Sequence, residues 1–181
     1  MTATLARLRV TLGFASGVLV LLLARPTPTS LEAGAVIALI GESLRLWAAG
    51  HLNKAREVTV SGPYRFFAHP LYVGSSIMGV GLAVIANHLI VSALIVVYLV
   101  ATLAAAIKSE EAFLRGKFGD RYDKYRRAGD APEADRRRRF SIAQALANRE
   151  HRTIAGLGVA LLLLFLKATY NGTLWRAAAG Q

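Results

Sequence analysis

Five apolar runs, separated by polar or turn-forming residues, dominate the pattern of hydrophobic and polar positions along this chain. They cover residues 8–24, 31–50, 71–86, 89–107 and 154–170. A helix needs roughly 17–25 residues to cross the ~30 Å hydrocarbon core of a bilayer, so each run is close to spanning length. The pattern predicts an all-α fold: an integral membrane helical bundle of about five transmembrane helices, with residues 1–181 as a single membrane domain.

The first run has the alternative interpretation of a secretory signal peptide, because Arg7 and Arg9 supply the charged region that such peptides carry. The residues that follow it read RPTPTS and lack an Ala-x-Ala cleavage pattern. The run is also close to spanning length. We therefore interpret it as the first transmembrane helix.

Turn and capping residues lie at the boundaries of the other runs. Thr29 or Ser30 is expected to cap the second helix. The polar pair at residues 87–88 forms a tight turn, so the third and fourth helices are expected to form an antiparallel hairpin. In the third run, Ser75 and Gly79 have the small-xxx-small spacing at which helices approach closely.

Basic residues are distributed unevenly among the segments between the runs. The chain is 54% hydrophobic yet has a net charge of +11, a combination typical of a small helical membrane protein that faces anionic lipid. Most of the basic residues lie in the polar segments 51–70 and 108–152, with thirteen in the second. With a cytoplasmic N-terminus this distribution satisfies the positive-inside rule for five spans. Both segments are therefore predicted to lie on the cytoplasmic face.

The second polar segment begins with an amphipathic pattern. Leu114, Phe118, Tyr122 and Tyr125 recur at spacings of four, four and three, with Arg and Lys between them, which predicts a cytosolic helix that lies in the membrane interface. The basic run Arg136–Arg139 is interpreted as a contact with anionic membrane lipids. The aromatic residues do not interleave with this run, so nucleic acid is not expected as a partner. The oligomeric state stays open.

The residue types of the chain exclude several chemistries. There is no Cys, which excludes disulfides, thiolate nucleophiles and Cys-bound metals. The four His residues are scattered and lack HExxH-type spacing. We therefore expect no metal site.

The densest group of chemically useful residues reads GPYRFFAHPLYVG and covers residues 62–74. Its Gly-Pro start is a turn signal, and Pro70 suits the first turn of a helix, with His69 at or beside the cap. This predicts a polar loop at a membrane face, with His69 and Tyr72 at a helix start. Tyr, Phe and Arg also collect at membrane borders, so a simple interfacial anchor is the alternative interpretation.

Ionisable residues inside or beside the apolar runs are further candidates. Glu42 and Arg45 lie three apart in the second run and are expected to share one helical face, either as a structural ion pair or as part of a polar site. Glu110 and Glu111 follow the fourth run. A hairpin of the third and fourth helices would bring this carboxylate pair beside His69. Alternatively, the pair only balances the charge of nearby Arg residues.

Three stretches of the chain resemble a known family. They read ESLRLWAAGHLNK (42–54), TVSGPYRFFAHPLYVG (59–74) and SEEAFLRGKFGDRYDKYRR (109–127). In this order and spacing they resemble the isoprenylcysteine carboxyl methyltransferase family and the related phospholipid N-methyltransferases. The resemblance implies a small helical membrane bundle that binds S-adenosylmethionine at its cytosolic face. It also implies methyl transfer to an acceptor on a lipid or on a lipidated small molecule or protein.

The same resemblance implies roles for individual residues. The implied cofactor-binding positions are Arg56, Glu57, Val58, Thr59, Tyr64, His69, Pro70, Leu71, Tyr72 and Glu110. Arg45 and Glu111 are the candidate catalytic residues. The eukaryotic carboxyl methyltransferases have an Arg one helical turn before the Glu, and here that position is Ala106. Whether Arg45 or Lys108 replaces that Arg, and whether the acceptor is a carboxylate or an amine, stays open.

Several functions remain to be distinguished. An amine acceptor must lose a proton, for which Glu111, His69 or Glu42 is the candidate base. The alternatives to a carboxyl methyltransferase-like enzyme are a phospholipid N-methyltransferase-like enzyme and a non-catalytic lipid-binding membrane adaptor. A reductase related to the sterol reductases, whose C-terminal core resembles this fold, is a further alternative.

Overall fold

The described part of the chain is helical. The computed structural model describes residue 15 and residues 17–53, 59–119 and 139–172, and within these residues it contains no strand. Residues 17–23 are helical. The further helices are α1 (Pro28–His51), α2 (Pro70–Ala86), α3 (Leu89–Phe118), α4 (Ile142–Ala147) and α5 (Glu150–Tyr170), with a 3-10 turn at Gly62–Arg65. The predicted all-α class is confirmed.

Three of these helices, α1, α3 and α5, are long and apolar enough to cross a membrane. Helix α2 is also apolar but has only 17 residues. Residues 8–14 and 16 of the predicted first span at 8–24 lie outside the described residues. The count of about five spans therefore stays a prediction.

Helix α3 continues past the fourth apolar run without a break. Glu110 and Glu111 consequently lie on the same helix as that run. Leu114 is half-buried on the last part of α3, whereas Tyr122 and Tyr125 lie outside the described residues. The interfacial helix stays a prediction beyond the end of α3.

Two helices begin at positions that differ from the predictions. Helix α1 is capped by Thr27, not by Thr29 or Ser30: the Thr27 N–H donates to Ser30 Oγ at 2.9 Å, and the Ser30 N–H donates to Thr27 Oγ1 at 3.2 Å. Pro28 fits the first helical turn, where its missing N–H is not needed, so the cap must precede it. Helix α5 begins at Glu150 instead of 154, because a count of apolar residues misses a polar first turn.

The described residues form two compact units. The first comprises the residues up to Leu39, Ile77–Thr102 and the residues from Gly156 onward. The second comprises Ile40–Ser76 and Leu103–Ala155. All candidate catalytic and cofactor-binding positions that lie among the described residues fall in the second unit.

The core of the first unit is built around the turn between α2 and α3. Its buried residues are Ala24, Ile85, Ala86, Val91 and Leu164. The turn itself is closed by Asn87, which adopts a φ of 45°, and the Ser92 hydroxyl donates to the Ala83 carbonyl at 3.1 Å. These contacts confirm that the third and fourth apolar runs form a hairpin.

Helices α1 and α2 approach each other backbone to backbone in the first unit. A Cβ atom added to Gly81 would lie 2.5 Å from the Gly34 carbonyl oxygen and 2.5 Å from the Ala38 nitrogen. No side chain fits at that point, so glycine is required there for packing. Gly79, which the small-xxx-small spacing indicated, instead faces the side chain of Leu99.

Candidate functional site

The loop that precedes α2 is held against the end of α1 by His51. The buried His51 ring lies with Nδ1 3.1 Å from Ser61 Oγ. The Asn53 N–H donates to Thr59 Oγ1 at 3.2 Å. Gly62 adopts a φ of 57°, and a Cβ there would lie 2.5 Å from His51 Cδ2. Both the backbone conformation and the close ring require glycine at this turn.

A single 3-10 turn, Gly62–Arg65, then presents Tyr64. Pro63 is fully buried in this turn, and the Tyr64 N–H donates to the Ser61 carbonyl at 3.2 Å. Tyr64 is half-buried, whereas the side chains of Phe66 and Phe67 are 72% and 41% exposed. The two exposed Phe rings are thus suited to a membrane interface. The Tyr64 side chain, by contrast, is partly covered by the rest of the protein.

Helix α2 begins where His69-Pro70 predicted it. The His69 carbonyl accepts the N–H groups of Tyr72 and Val73 at 3.0 and 3.1 Å, which closes the first turn after Pro70. This turn brings the His69 and Tyr72 rings together, with centroids 5.7 Å apart. The predicted helix start is therefore confirmed, and it places an imidazole and a phenol on one short stretch of surface.

The His69 imidazole lies between two carboxylates of α3. Its Nε2 is 3.4 Å from Glu111 Oε1, and its Nδ1 is 3.9 Å from Glu110 Oε2. The His69 and Glu111 side chains are 16% and 17% exposed, whereas that of Glu110 is 37% exposed. The cluster expected from the hairpin is present, with Glu111 the closer and more buried carboxylate.

Arg45 is held by protein acceptors on every donor. Its Nε and Nη2 donate to the two Glu150 oxygens at 2.8 and 3.2 Å. The second hydrogen of Nη2 meets Thr153 Oγ1 at 3.2 Å. Nη1 donates to the Leu71 carbonyl at 3.2 Å and to the Ser75 hydroxyl. A guanidinium has five N–H donors, and all five are engaged here.

Glu42 was expected to be the partner of Arg45, but it is a distant one. Arg45 Nε is 3.8 Å from Glu42 Oε2 and only 2.8 Å from Glu150 Oε1. The Glu42 side chain is 9% exposed, and among the described residues neither of its oxygens has a hydrogen-bond partner. The cluster thus holds two buried carboxylates around a single guanidinium.

The segment from Phe140 to Thr153 supplies contacts that the sequence did not indicate. Asn148 Nδ2 donates to the Ala49 and Leu52 carbonyls at 2.8 Å each, which satisfies acceptors at the end of α1. The Phe140 ring lies against the Cα of Gly50. One sequence feature could have indicated these contacts. Glu150 is an acidic residue in a basic segment, and it stands with Thr153 just before the last apolar run.

The structure brings some of the sequence-predicted residues together and leaves others apart or undescribed. His69, Tyr72, Glu110 and Glu111 form one cluster. Arg45 contacts the same α2 turn through the carbonyl of Leu71. Thr59 is buried beside α1, whereas the predicted positions Arg56, Glu57 and Val58 lie outside the described residues.

Lys108, the other residue considered for binding an acceptor carboxylate, is exposed on α3. Arg139, the last residue of the four-Arg run, is exposed too, and the rest of that run lies outside the described residues. Within the described ranges no group of three or more His, Cys, Asp or Glu residues is arranged to hold a metal ion.

Helices long and apolar enough to cross a membrane, together with an imidazole between two carboxylates, indicate a helical membrane protein with a polar site. Residues 33–121, just under half of the chain, match the family described as phospholipid methyltransferase. Over this region the chain is similar to the phospholipid methyltransferases.

Two curated proteins are similar to the chain. Protein-S-isoprenylcysteine O-methyltransferase of Schizosaccharomyces pombe is 31% identical over 87 residues, which cover 48% of this chain and 37% of that protein. Nickel-cobalt-cadmium resistance protein NccN of Alcaligenes xylosoxydans xylosoxydans is 31% identical over 96 residues, which cover 52% of this chain and 43% of that protein. The chain therefore spans about two fifths of the length of these relatives. No solved structure matches it.

Proposed function

We propose that this chain is a membrane-embedded S-adenosylmethionine-dependent methyltransferase that acts on a lipid or lipidated acceptor. The observation that carries the proposal is the cluster of His69, Tyr72, Glu110 and Glu111. These residues lie within the region that matches the phospholipid methyltransferase family. The S. pombe relative is named for O-methylation of an isoprenylcysteine, which supports a lipidated acceptor for this chain as part of the same proposal.

The side chains of the cluster suit S-adenosylmethionine, which has a cationic ammonium group at one end and an aromatic base at the other. Glu110, the more exposed carboxylate, accepts hydrogen bonds from the ammonium group in this proposal. The rings of His69 and Tyr72 contact the adenosine, and Pro70 and Leu71 form the helical turn that carries them. Tyr64 and the segment 56–59 complete the cofactor side, as the family resemblance implies.

The sulfonium of the cofactor supplies a methyl group that is already activated. The residues of the chain therefore have to align the acceptor nucleophile and exclude water. Glu111 holds the His69 imidazole in its orientation. Arg45 fixes the Leu71 carbonyl and with it the first turn of α2, so we assign Arg45 a positioning role.

The proposed orientation follows the distribution of basic residues. A cytoplasmic N-terminus places the segments 51–70 and 108–152, and hence the site, on the cytoplasmic face. Anionic lipids of that leaflet are the proposed partner of the basic run Arg136–Arg139. The acceptor then reaches the site from the bilayer, and the cofactor reaches it from the cytosol.

Titration of the detergent-purified full chain with S-adenosylmethionine and, separately, with NADPH tests the proposal. We expect binding of S-adenosylmethionine that is weakened at least tenfold by His69→Ala and by Glu110→Ala. Glu32→Ala, at an exposed position of α1, is the matched control and should bind normally. Methyl transfer from labelled cofactor into a membrane extract then identifies the acceptor.

Each alternative has its own outcome in the same experiment. Binding of NADPH without S-adenosylmethionine favours a reductase related to the sterol reductases. Binding of neither ligand favours a non-catalytic lipid-binding adaptor. Label in a phospholipid headgroup identifies a phospholipid N-methyltransferase-like enzyme, and base-labile label in a lipidated carboxylate identifies a carboxyl methyltransferase.

A further inference from the structure

The Glu42 carboxylate is buried in the second unit without a hydrogen-bond donor from the described residues. Its side chain is 9% exposed, and both of its oxygens lack a partner there. A buried carboxylate without donors is costly, because it has lost its hydration and gained nothing in return. A ligand with N–H groups would supply the missing donors.

The neighbours of Glu42 define the charge of that ligand. Glu150 and Glu42 contribute two carboxylates, and among the described residues Arg45 is the cation that pairs with them. Because Arg45 gives two hydrogen bonds to Glu150, Glu42 keeps only an ion-pair contact of 3.8 Å with Arg45 and accepts no hydrogen bond from the described residues. The cluster is therefore complementary to a positively charged or N–H-bearing group.

The same cluster is a poor receptor for a carboxylate. A carboxylate acceptor requires a cation to hold it, and all five donors of Arg45 are already engaged. The other Lys and Arg residues described in this unit, including Lys108 and Arg65, are exposed. An incoming carboxylate would also be repelled by Glu42 at short range.

Glu42 lies close to the cofactor side of the proposed site. Arg45, whose Nε is 3.8 Å from Glu42, also holds the Leu71 carbonyl in the first turn of α2. That turn carries His69 and Tyr72. Glu42 therefore lies two contacts away from the residues that are proposed to hold the cofactor.

We propose that Glu42 binds the nitrogen of the methyl acceptor, and that the acceptor is a membrane-borne amine and not a carboxylate. This inference rests on the proposed methyltransferase function. An ammonium group donates to the Glu42 carboxylate and transfers one proton to it. The neutral nitrogen then attacks the methyl carbon: the N–C bond forms, the S–C bond breaks with its electron pair going to sulfur, and S-adenosylhomocysteine leaves.

Two matched lipid probes test this assignment with the full chain. One is phosphatidylcholine vesicles that contain oleylamine, and the other is the same vesicles with N-acetyl-S-farnesylcysteine. We expect labelled methyl to appear on oleylamine, with KM raised at least tenfold in Glu42→Gln and cofactor affinity unchanged. Glu32→Gln, the same substitution at an exposed site on α1, should leave both quantities unaltered. Glu42→Asp keeps the charge and should recover part of the loss.

The remaining outcomes separate the two proposals. If the unaltered chain does not bind S-adenosylmethionine, the methyltransferase proposal itself is overturned. If it binds the cofactor but methylates only the farnesylcysteine carboxylate, or neither probe, the amine assignment is wrong while cofactor binding stands. Methylation of oleylamine that Glu42→Gln and Glu42→Asp leave unaltered removes Glu42 from the site. If Glu42→Gln does not fold, the KM of Glu42→Asp decides.

Discussion

The Arg45 guanidinium and the Glu150 carboxylate form a bidentate ion pair, with hydrogen bonds of 2.8 and 3.2 Å between residues 105 positions apart. Arg45 lies within the region that matches the phospholipid methyltransferase family, and Glu150 lies beyond it. Because Arg45 also donates to the Leu71 carbonyl, the pair connects the first turn of α5 to the first turn of α2, which carries Tyr72. The C-terminal segment thus contributes directly to the geometry of the proposed site.

Removal of Glu150 is expected to destabilise the chain. Breaking a buried ion pair by deleting one partner typically costs about 3–5 kcal/mol, because a buried charge is left behind. In Glu150→Ala, Arg45 retains Glu42 at 3.8 Å as a substitute, so we expect a loss at the lower end of this range. The free energy of unfolding in detergent micelles measures it.

The double variant Glu42→Gln/Glu150→Ala removes the substitute as well. It should lose more stability than the sum of the two single variants, because contacting residues are not additive. Glu32→Ala is the control at an exposed position. Additive losses, or a Tm of Glu150→Ala equal to that of the unaltered chain, contradict the cluster described here.

A glycine substitution tests the loop that presents Tyr64. Gly62→Ala meets both a φ of 57° and the His51 ring, so it should cost about 1–2 kcal/mol for the left-handed backbone alone, with the ring clash added. Because the loop leads into the proposed cofactor site, affinity for S-adenosylmethionine should fall as well. Gly116→Ala, in an open part of α3 with φ in the helical range, should be neutral or stabilising. Equal effects at the two positions would refute the role of His51.

Sequence patterns predicted the features of the chain that depend on local chemistry. His69-Pro70 marked the start of α2 because the ring of proline fits a first turn, and the apolar runs marked the hairpin that brings Glu111 to His69. The expected ion pair of Glu42 and Arg45 is present at 3.8 Å, but the closer partner of Arg45 was missed. Spacing along one helix indicated Glu42, whereas the better geometry comes from Glu150, whose position depends on tertiary packing.

The capping residues also show that sequence spacing alone does not select a contact. Thr27, Thr29 and Ser30 are all good caps by residue type, and only the fit of Pro28 to the first turn selects Thr27. Asn148 could not be linked to the end of α1 from its sequence position, since the acceptors lie 99 and 96 residues away. Contacts of this length are set by the packed fold.

The backbone contact between α1 and α2 predicts sensitivity at Gly81. In Gly81→Ala the new methyl group would lie 2.5 Å from the Gly34 oxygen, and the helices must separate to admit it. Overpacking of this kind costs about 1–3 kcal/mol, measured as a lowered Tm in detergent. Gly158→Ala is the matched control, because nothing lies within 4 Å of the added atom on α5. A Tm that is equal in both variants contradicts the close approach.

The contacts of His69 predict which carboxylate it depends on. His69 Nε2 is 3.4 Å from Glu111, and Nδ1 is 3.9 Å from Glu110, so a double-mutant cycle on cofactor affinity should couple His69→Ala more strongly with Glu111→Gln than with Glu110→Gln. Contacting residues typically couple by about 0.5–3 kcal/mol, whereas distant pairs add within about 0.5 kcal/mol. The pair His69→Ala and Glu32→Gln should therefore show no coupling. Stronger coupling to Glu110 would reverse the proposed roles, with Glu110 orienting the imidazole and Glu111 left to bind the cofactor.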